Sequence, residues 1–199
     1  GYPTRKTLKT ILLDSTLKKV ALKAYDERSS GSKIGRNVII RSGSIIYERA
    51  TLTDDVETGH HILVREDSKI GSSTRIGTNT VIDGSVEVGR NVNIQSGVYI
   101  PPGTVIENDV FLGPYSLITN DLYPPSPKIT GVTIKSSAAI GAGSILIAGI
   151  TVGESAIVAG GSIVTKNVAP NTVVKGCPAK YFMTREEYDT KQKKHLRET

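Results

Sequence analysis

Val64-Arg-Glu-Asp-Ser-Lys-Ile70-Gly-Ser-Ser-Thr-Arg-Ile76-Gly-Thr-Asn-Thr-Val-Ile82-Asp-Gly-Ser-Val-Glu-Val88-Gly-Arg-Asn-Val-Asn-Ile94 returns to an aliphatic residue at every sixth position. The same beat runs back to Ile34, Ile40, Ile46 and Leu52, and forward through Ile100, Ile106, Leu112 and Ile118. After a break it resumes at Ile134, Ile140, Leu146, Val152, Val158 and Val164. Of these 21 positions 20 are aliphatic, and Thr58 is the exception. The residue after the aliphatic one is often glycine, as at Gly35, Gly71, Gly77 and Gly141, and the fifth position is small or β-branched, as at Ala50, Thr74 and Ser144.

A strand alternates with a period of two and an amphipathic helix spaces its apolar residues by three or four, so neither explains a strict six. A solenoid does. Each hexad supplies one short flat strand and a corner: the aliphatic residue points inward, the small one fits the bend, and glycine or asparagine accepts the turn dihedrals. Three hexads close one triangular coil. The expected fold is an all-β solenoid of about seven coils, stacked at about 4.8 Å to a height of roughly 30 Å.

A solenoid exposes strand edges at its ends and needs caps. Leu13, Leu17, Val20 and Ala24 lie at helical spacing and predict a short N-terminal helix within residues 1–30. Thr184 followed by Glu187 reads as a capping box that opens a C-terminal helix running to Arg197. The domain plan is therefore 1–30 as the N-terminal helical segment, 31–175 as the solenoid with a loop at 119–133, and 176–199 as the C-terminal segment and helix.

The net charge of +6 collects at the two ends, and aromatic residues are 5% of the chain. Nucleic-acid binding by base stacking wants aromatics among the basic residues, so that class is set aside; a phosphate-rich small molecule suits the balance better. A single cysteine excludes an internal disulfide. The lysine-broken N-terminal apolar run fits neither a signal peptide nor a membrane helix, so a cytoplasmic protein without a membrane partner is expected.

Rule-breaking positions are where function is expected. One is Thr58-Gly59-His60-His61, continuing to Arg65 and Glu66. Imidazole titrates near neutral pH, so either histidine is a candidate general base or substrate clamp, with Glu66 or another carboxylate to orient it; an ordinary polar corner is the plainer reading. The other is Thr119-Asn120-Asp121-Leu122-Tyr123-Pro124-Pro125-Ser126-Pro127-Lys128, where the spacing of 16 residues from Ile118 to Ile134 is no multiple of six and a loop must leave the prism. Long loops on rigid scaffolds usually carry function. Two adjacent histidines with His195 far off make no three-histidine zinc site, so no metal is expected. Cys177 reads as a packed thiol.

The repeat, the run Phe111-Leu112-Gly113-Pro114-Tyr115-Ser116-Leu117-Ile118-Thr119-Asn120-Asp121, the hexads Ile140-Gly141-Ala142-Gly143-Ser144 and Val158-Ala159-Gly160-Gly161-Ser162, and the ending Gly176-Cys177-Pro178-Ala179-Lys180 resemble the hexapeptide-repeat acyltransferase family. The likeness covers residues 34–181 and comes nearest to enzymes that N-acetylate nucleotide-linked amino sugars. It implies a left-handed parallel β-helix, a homotrimer, acetyl-CoA as co-substrate and an active site between subunits. Sugar O-acetyltransferases of the family carry a catalytic histidine in the loop; here Asn120 and Asp121 stand there instead.

The resemblance therefore implies transfer to a sugar amine. Asn120 would position the acceptor, Asp121, His60 or His61 would take the proton, and Arg65, Glu66 and Tyr123 would bind the acceptor. Backbone amides of Ala142 and Ala159 would hold the pantetheine arm and the oxyanion, and Lys166 and Lys180 the phosphates of CoA. Two alternatives remain: an O-acetyltransferase with His60 or His61 as base, and a non-catalytic trimeric scaffold.

Overall fold

The structure, a computed structural model, describes residues 31–198. The expected N-terminal helix lies outside them. From Lys33 to Val164 the chain winds in two-residue strands, and in each the second residue, the hexad aliphatic everywhere but at Thr58, points into the prism. Side one holds Lys33–Ile34, Thr51–Leu52 and their successors up to Thr151–Val152; side two begins at Glu57–Thr58 and side three at Ile45–Ile46. Neighbouring strands pair in parallel one coil apart, as Lys69 and Ile70 do with Glu87 and Val88. Bridges at Ile39–Glu57 and Val152–Val168 extend sides two and one, so seven full coils are followed by part of an eighth.

The core is one column of side chains, with Leu52, Ile82, Ile100, Leu112, Ile134 and Leu146 fully buried. Corners turn through left-handed backbone at Asn37, Asp55, Asn79 and Asn91, the short polar residues that tolerate it best. Opposite charges one coil apart close into ion pairs at Arg36–Asp54, Arg49–Asp67, Arg65–Asp83 and Lys69–Glu87.

The C-terminal helix, Arg185–Arg197, starts at the capping box read from the sequence: the Thr184 hydroxyl accepts from the Glu187 N–H, and the Glu187 carboxylate accepts from the Thr184 N–H. Before it lies an antiparallel hairpin, Thr172–Gly176 with Ala179–Thr184, which the hexad pattern did not show. Its first strand continues side two and its second closes that sheet's edge, while Met183 and Tyr188 pack on Ile157 and Val173. Cys177 sits exposed at the hairpin turn, not packed as expected, because the turn lies outside the buried column of hexad side chains.

Candidate functional site

Edge 2, the corner column between sides two and three, carries His60, His61, Tyr115, Ala142 and Ala159. Edge 3, between sides three and one, carries Arg65, Glu66, Asn120, Asp121 and Lys166. The sequence-derived residues thus fall on two edges of one prism. Ala142 lies four coils above His60, a separation on the order of 19 Å along the axis.

Thr58 is fully buried at the one non-aliphatic inner position. Its hydroxyl accepts the Arg41 N–H at 3.1 Å and donates to the Gly59 carbonyl at 3.0 Å, so the buried oxygen is satisfied within the coil. The Arg41 guanidinium in turn donates to the Thr58 carbonyl. His60 places Nδ1 2.9 Å from the Ser42 hydroxyl, and the two imidazole centroids are 6.3 Å apart. Glu66 does not orient either ring. Its carboxylate is held by Arg65 at 2.7 Å, a hydrogen bond that lowers its pKa. Arg65 also bonds Asp83, and Tyr99 donates to Asp83 at 2.8 Å; burial first and then this bond push the Tyr99 phenol up to about 12. Arg65 and Glu66 are therefore committed to each other and to the neighbouring coil.

The loop that leaves the prism is internally tied. Asn120 donates from Nδ2 to the Pro102 carbonyl at 3.1 Å and accepts the Thr130 N–H on its own backbone carbonyl at 2.7 Å, closing the loop's base. Both Asp121 carboxylate oxygens accept loop N–H groups, from Tyr123 at 3.0 Å and Ser126 at 2.8 Å. Leu122, Tyr123 and Ile129 project outward, Tyr123 with 80% of its surface exposed.

Above the loop, edge 2 is bare. Gly143 and Gly161 adopt left-handed backbone, and a Cβ on either would meet nothing within 4 Å. The Ala142 N–H makes no hydrogen bond among the described residues. The Ala159 N–H is not available as expected: it donates to the Val174 carbonyl at 2.9 Å, because the first hairpin strand covers that coil. At the upper end of the strip the Gly176 N–H donates to the Ser162 hydroxyl, which seats the hairpin turn on edge 2. Lys180 stands opposite Lys175 there. Lys166 follows Ile163–Val164 onto edge 3, so the two expected phosphate lysines are not together.

At the lower end of the strip Tyr115 fills the space over Gly97. A Cβ there would lie 2.5 Å from its ring. Tyr115 itself has φ 56, a conformation that costs a bulky residue free energy. Below it a groove of about 300 Å³ opens beside edge 2 across four coils, lined by Arg41, Glu57, Arg75, Asn93, Gln95 and Ser96 among others. The sequence reading missed both Tyr115 and this groove. Among the described residues no cluster of histidine, cysteine and carboxylate groups could hold a metal ion, and no helix is long and apolar enough to cross a membrane.

Two family descriptions match the repeat: residues 67–102 match the bacterial transferase hexapeptide, and residues 131–166 the hexapeptide repeat of succinyl-transferase. The chain carries the transferase hexapeptide repeat. A hexapeptide transferase family protein from Anaplasma phagocytophilum is 26% identical, with a TM-score of 0.54 over 84% of this chain and 92% of that one. The polySia-specific acetyltransferase NeuO is 19% identical, with a TM-score of 0.61 over 77% of this chain and 83% of its own, and shares the fold. A comparison with curated protein sequences finds no match.

Proposed function

We propose that this transferase moves an acetyl group from acetyl-CoA to the amine of a sugar, at a site completed between the subunits of a homotrimer. The observation that carries the reading is the strip of bare backbone at Ala142, Gly143 and Gly161. It leaves room for an extended chain against the coils and offers N–H groups, at Ala142 and Gly160, that are unpaired among the described residues, and it ends at Lys175 and Lys180 where phosphates would be held.

Side three supports the trimer. Its outward residues are Ile45, Leu63, Val81, Tyr99, Leu117, Ile145 and Ile163, an apolar stripe along the whole prism. Sides one and two put Lys69, Glu87, Glu57 and Arg75 in the equivalent places. Such a stripe wants a partner. Packing side three about a threefold axis parallel to the prism brings edge 3 of each copy against edge 2 of the next, at equal coil height. The Asn120 loop would then reach the Tyr115 and Ala142 level of its neighbour.

In this arrangement the Asn120 side-chain oxygen, which has no partner among the described residues, accepts from the acceptor amine and aims its lone pair at the thioester. The nitrogen attacks the carbonyl carbon and the C–N bond forms. The carbonyl oxygen becomes an oxyanion facing the Ala142 N–H. Collapse breaks the C–S bond, and the proton lost by nitrogen goes to the departing thiolate, giving free CoA. Asp121 serves as the loop's internal tie rather than as a base. Transfer to a hydroxyl with His60 or His61 as base finds less support, because both lie four coils below Ala142.

Calorimetric titration with acetyl-CoA, followed by CoA release against amino sugars and simple sugars, tests the reading. Micromolar binding that Lys180→Glu weakens, with release dependent on an amine, is expected. No binding would leave the trimeric scaffold.

A further inference from the structure

Glu57 and Arg75 face each other in register on neighbouring strands of side two, one coil apart. Opposite charges one coil apart elsewhere in the prism close into ion pairs, on strands at Lys69–Glu87 and at corners at Arg36–Asp54, Arg49–Asp67 and Arg65–Asp83, and across the loop at Glu107–Lys135. Glu57 and Arg75 do not: among the described residues the Arg75 guanidinium has neither an ion pair nor a hydrogen bond. Both line the groove below Tyr115.

The rest of that groove is chemically specific. Arg41 is fixed at its lower end by the bond from its guanidinium to the Thr58 carbonyl, which is how the inner threonine enters the site. Asn93 and Gln95, joined at 2.7 Å, lie with Ser96 at its upper end, neutral groups suited to sugar hydroxyls. Arg75 lies two coils below the Tyr115 level, on the order of 10 Å along the axis. That is about the length of a hexose and the phosphates attached to it. A carboxylate on the hexose ring itself would fall short.

We infer that this groove is the acceptor's anion subsite, that Arg75 reads a phosphate ester or diphosphate on the sugar, and that the acceptor is therefore phosphate-bearing. The inference rests on the acetyltransferase reading above for its chemistry. The guanidinium presents planar paired donors that match phosphate oxygens, and leaving Arg75 unclosed keeps them available.

The test uses the full chain with glucosamine, glucosamine 1-phosphate, UDP-glucosamine and neuraminic acid as acceptors. Wild-type protein is expected to prefer the two phosphate-bearing amines. In Arg75→Gln the ratio of kcat/KM for them over glucosamine should fall roughly tenfold, the scale of a hydrogen bond to a charged group. Glu57→Gln should raise that ratio, a direction no loss of fold would produce. Lys69→Gln, on side one, should leave it unchanged. Equal use of glucosamine and its phosphates by the wild type, preference for neuraminic acid, or an unchanged ratio in Arg75→Gln would each overturn the subsite while leaving the acetyltransferase standing. Calorimetry with pyrophosphate and with UDP reads the groove independently of turnover: both should bind, and Arg75→Gln should weaken both. Should acetyl-CoA fail to bind, the enzyme reading falls, and the pyrophosphate titration still decides the subsite. Absence of pyrophosphate binding would refute it.

Discussion

Asn120 holds one end of its amide on the Pro102 carbonyl and leaves the other without a partner among the described residues; in the proposed reading it orients the substrate rather than taking a proton. Asn120→Ala should therefore lower kcat by about tenfold, through lost orientation. His60→Ala and His61→Ala should keep kcat within about threefold, where loss of a true general base would cost a hundredfold or more. Steady-state rates from pH 6 to 8 should show no ionisation near the histidine value of about 6.5. A sigmoid there with a collapsed histidine variant would restore the O-acetyl route. Gly97→Ala combines a left-handed backbone with a Cβ inside the Tyr115 ring. It should raise KM for the acceptor more than for acetyl-CoA.

Among the elements, the loop and the coil joint beneath it separate function from stability. Replacing residues 122–129 by a short Gly-Ser link should leave a cooperative thermal transition and abolish acetyl transfer, since the strands at Ile118 and Thr133 already join complete coils. Glu107 ties those coils together: it accepts from Lys135 at 2.7 Å and from the Ser136 N–H and hydroxyl, and these bonds, that from Lys135 foremost, lower its pKa. A lowered carboxyl pKa adds stability above the unfolded value, about 4.3, and loses it as pH falls through the folded value. Glu107→Gln should accordingly lower the melting temperature at pH 7, by the equivalent of about 1 kcal/mol or less for so exposed a pair, and the gap to wild type should close below pH 4. A gap that persists at pH 3 would assign the loss to packing.

For the whole molecule, the apolar side three is what the proposed trimer must cover. Leu117→Glu, in the middle of that stripe and 38% exposed in the single chain, should shift sedimentation from trimer to monomer and lose activity while the far-ultraviolet dichroism of the solenoid persists. A trimer unaffected by the change would place the interface elsewhere. Ile100→Asp should instead unfold the chain, because it puts an unpaired charge into the fully buried column at a cost of several kcal/mol.

The period of six determined the fold almost by itself. It recurs at the inner positions from Ile34 to Val164 with no competing helical or alternating reading, and parallel stacking then follows from backbone hydrogen bonding between coils. The loop was legible as a break in that period, and the helix cap at Thr184 as a local hydrogen-bond motif. What the sequence could not tell was where residues far apart come to lie around a prism. His60 and Asn120 read as one site, yet the coil count puts them on different edges. Ala159 looked free until the hairpin strand took its N–H, and that hairpin obeys no hexad. The open Glu57–Arg75 pair and the tyrosine over Gly97 are invisible in one dimension. Each depends on contacts one coil apart, which the winding of the chain creates and the order of residues alone does not record.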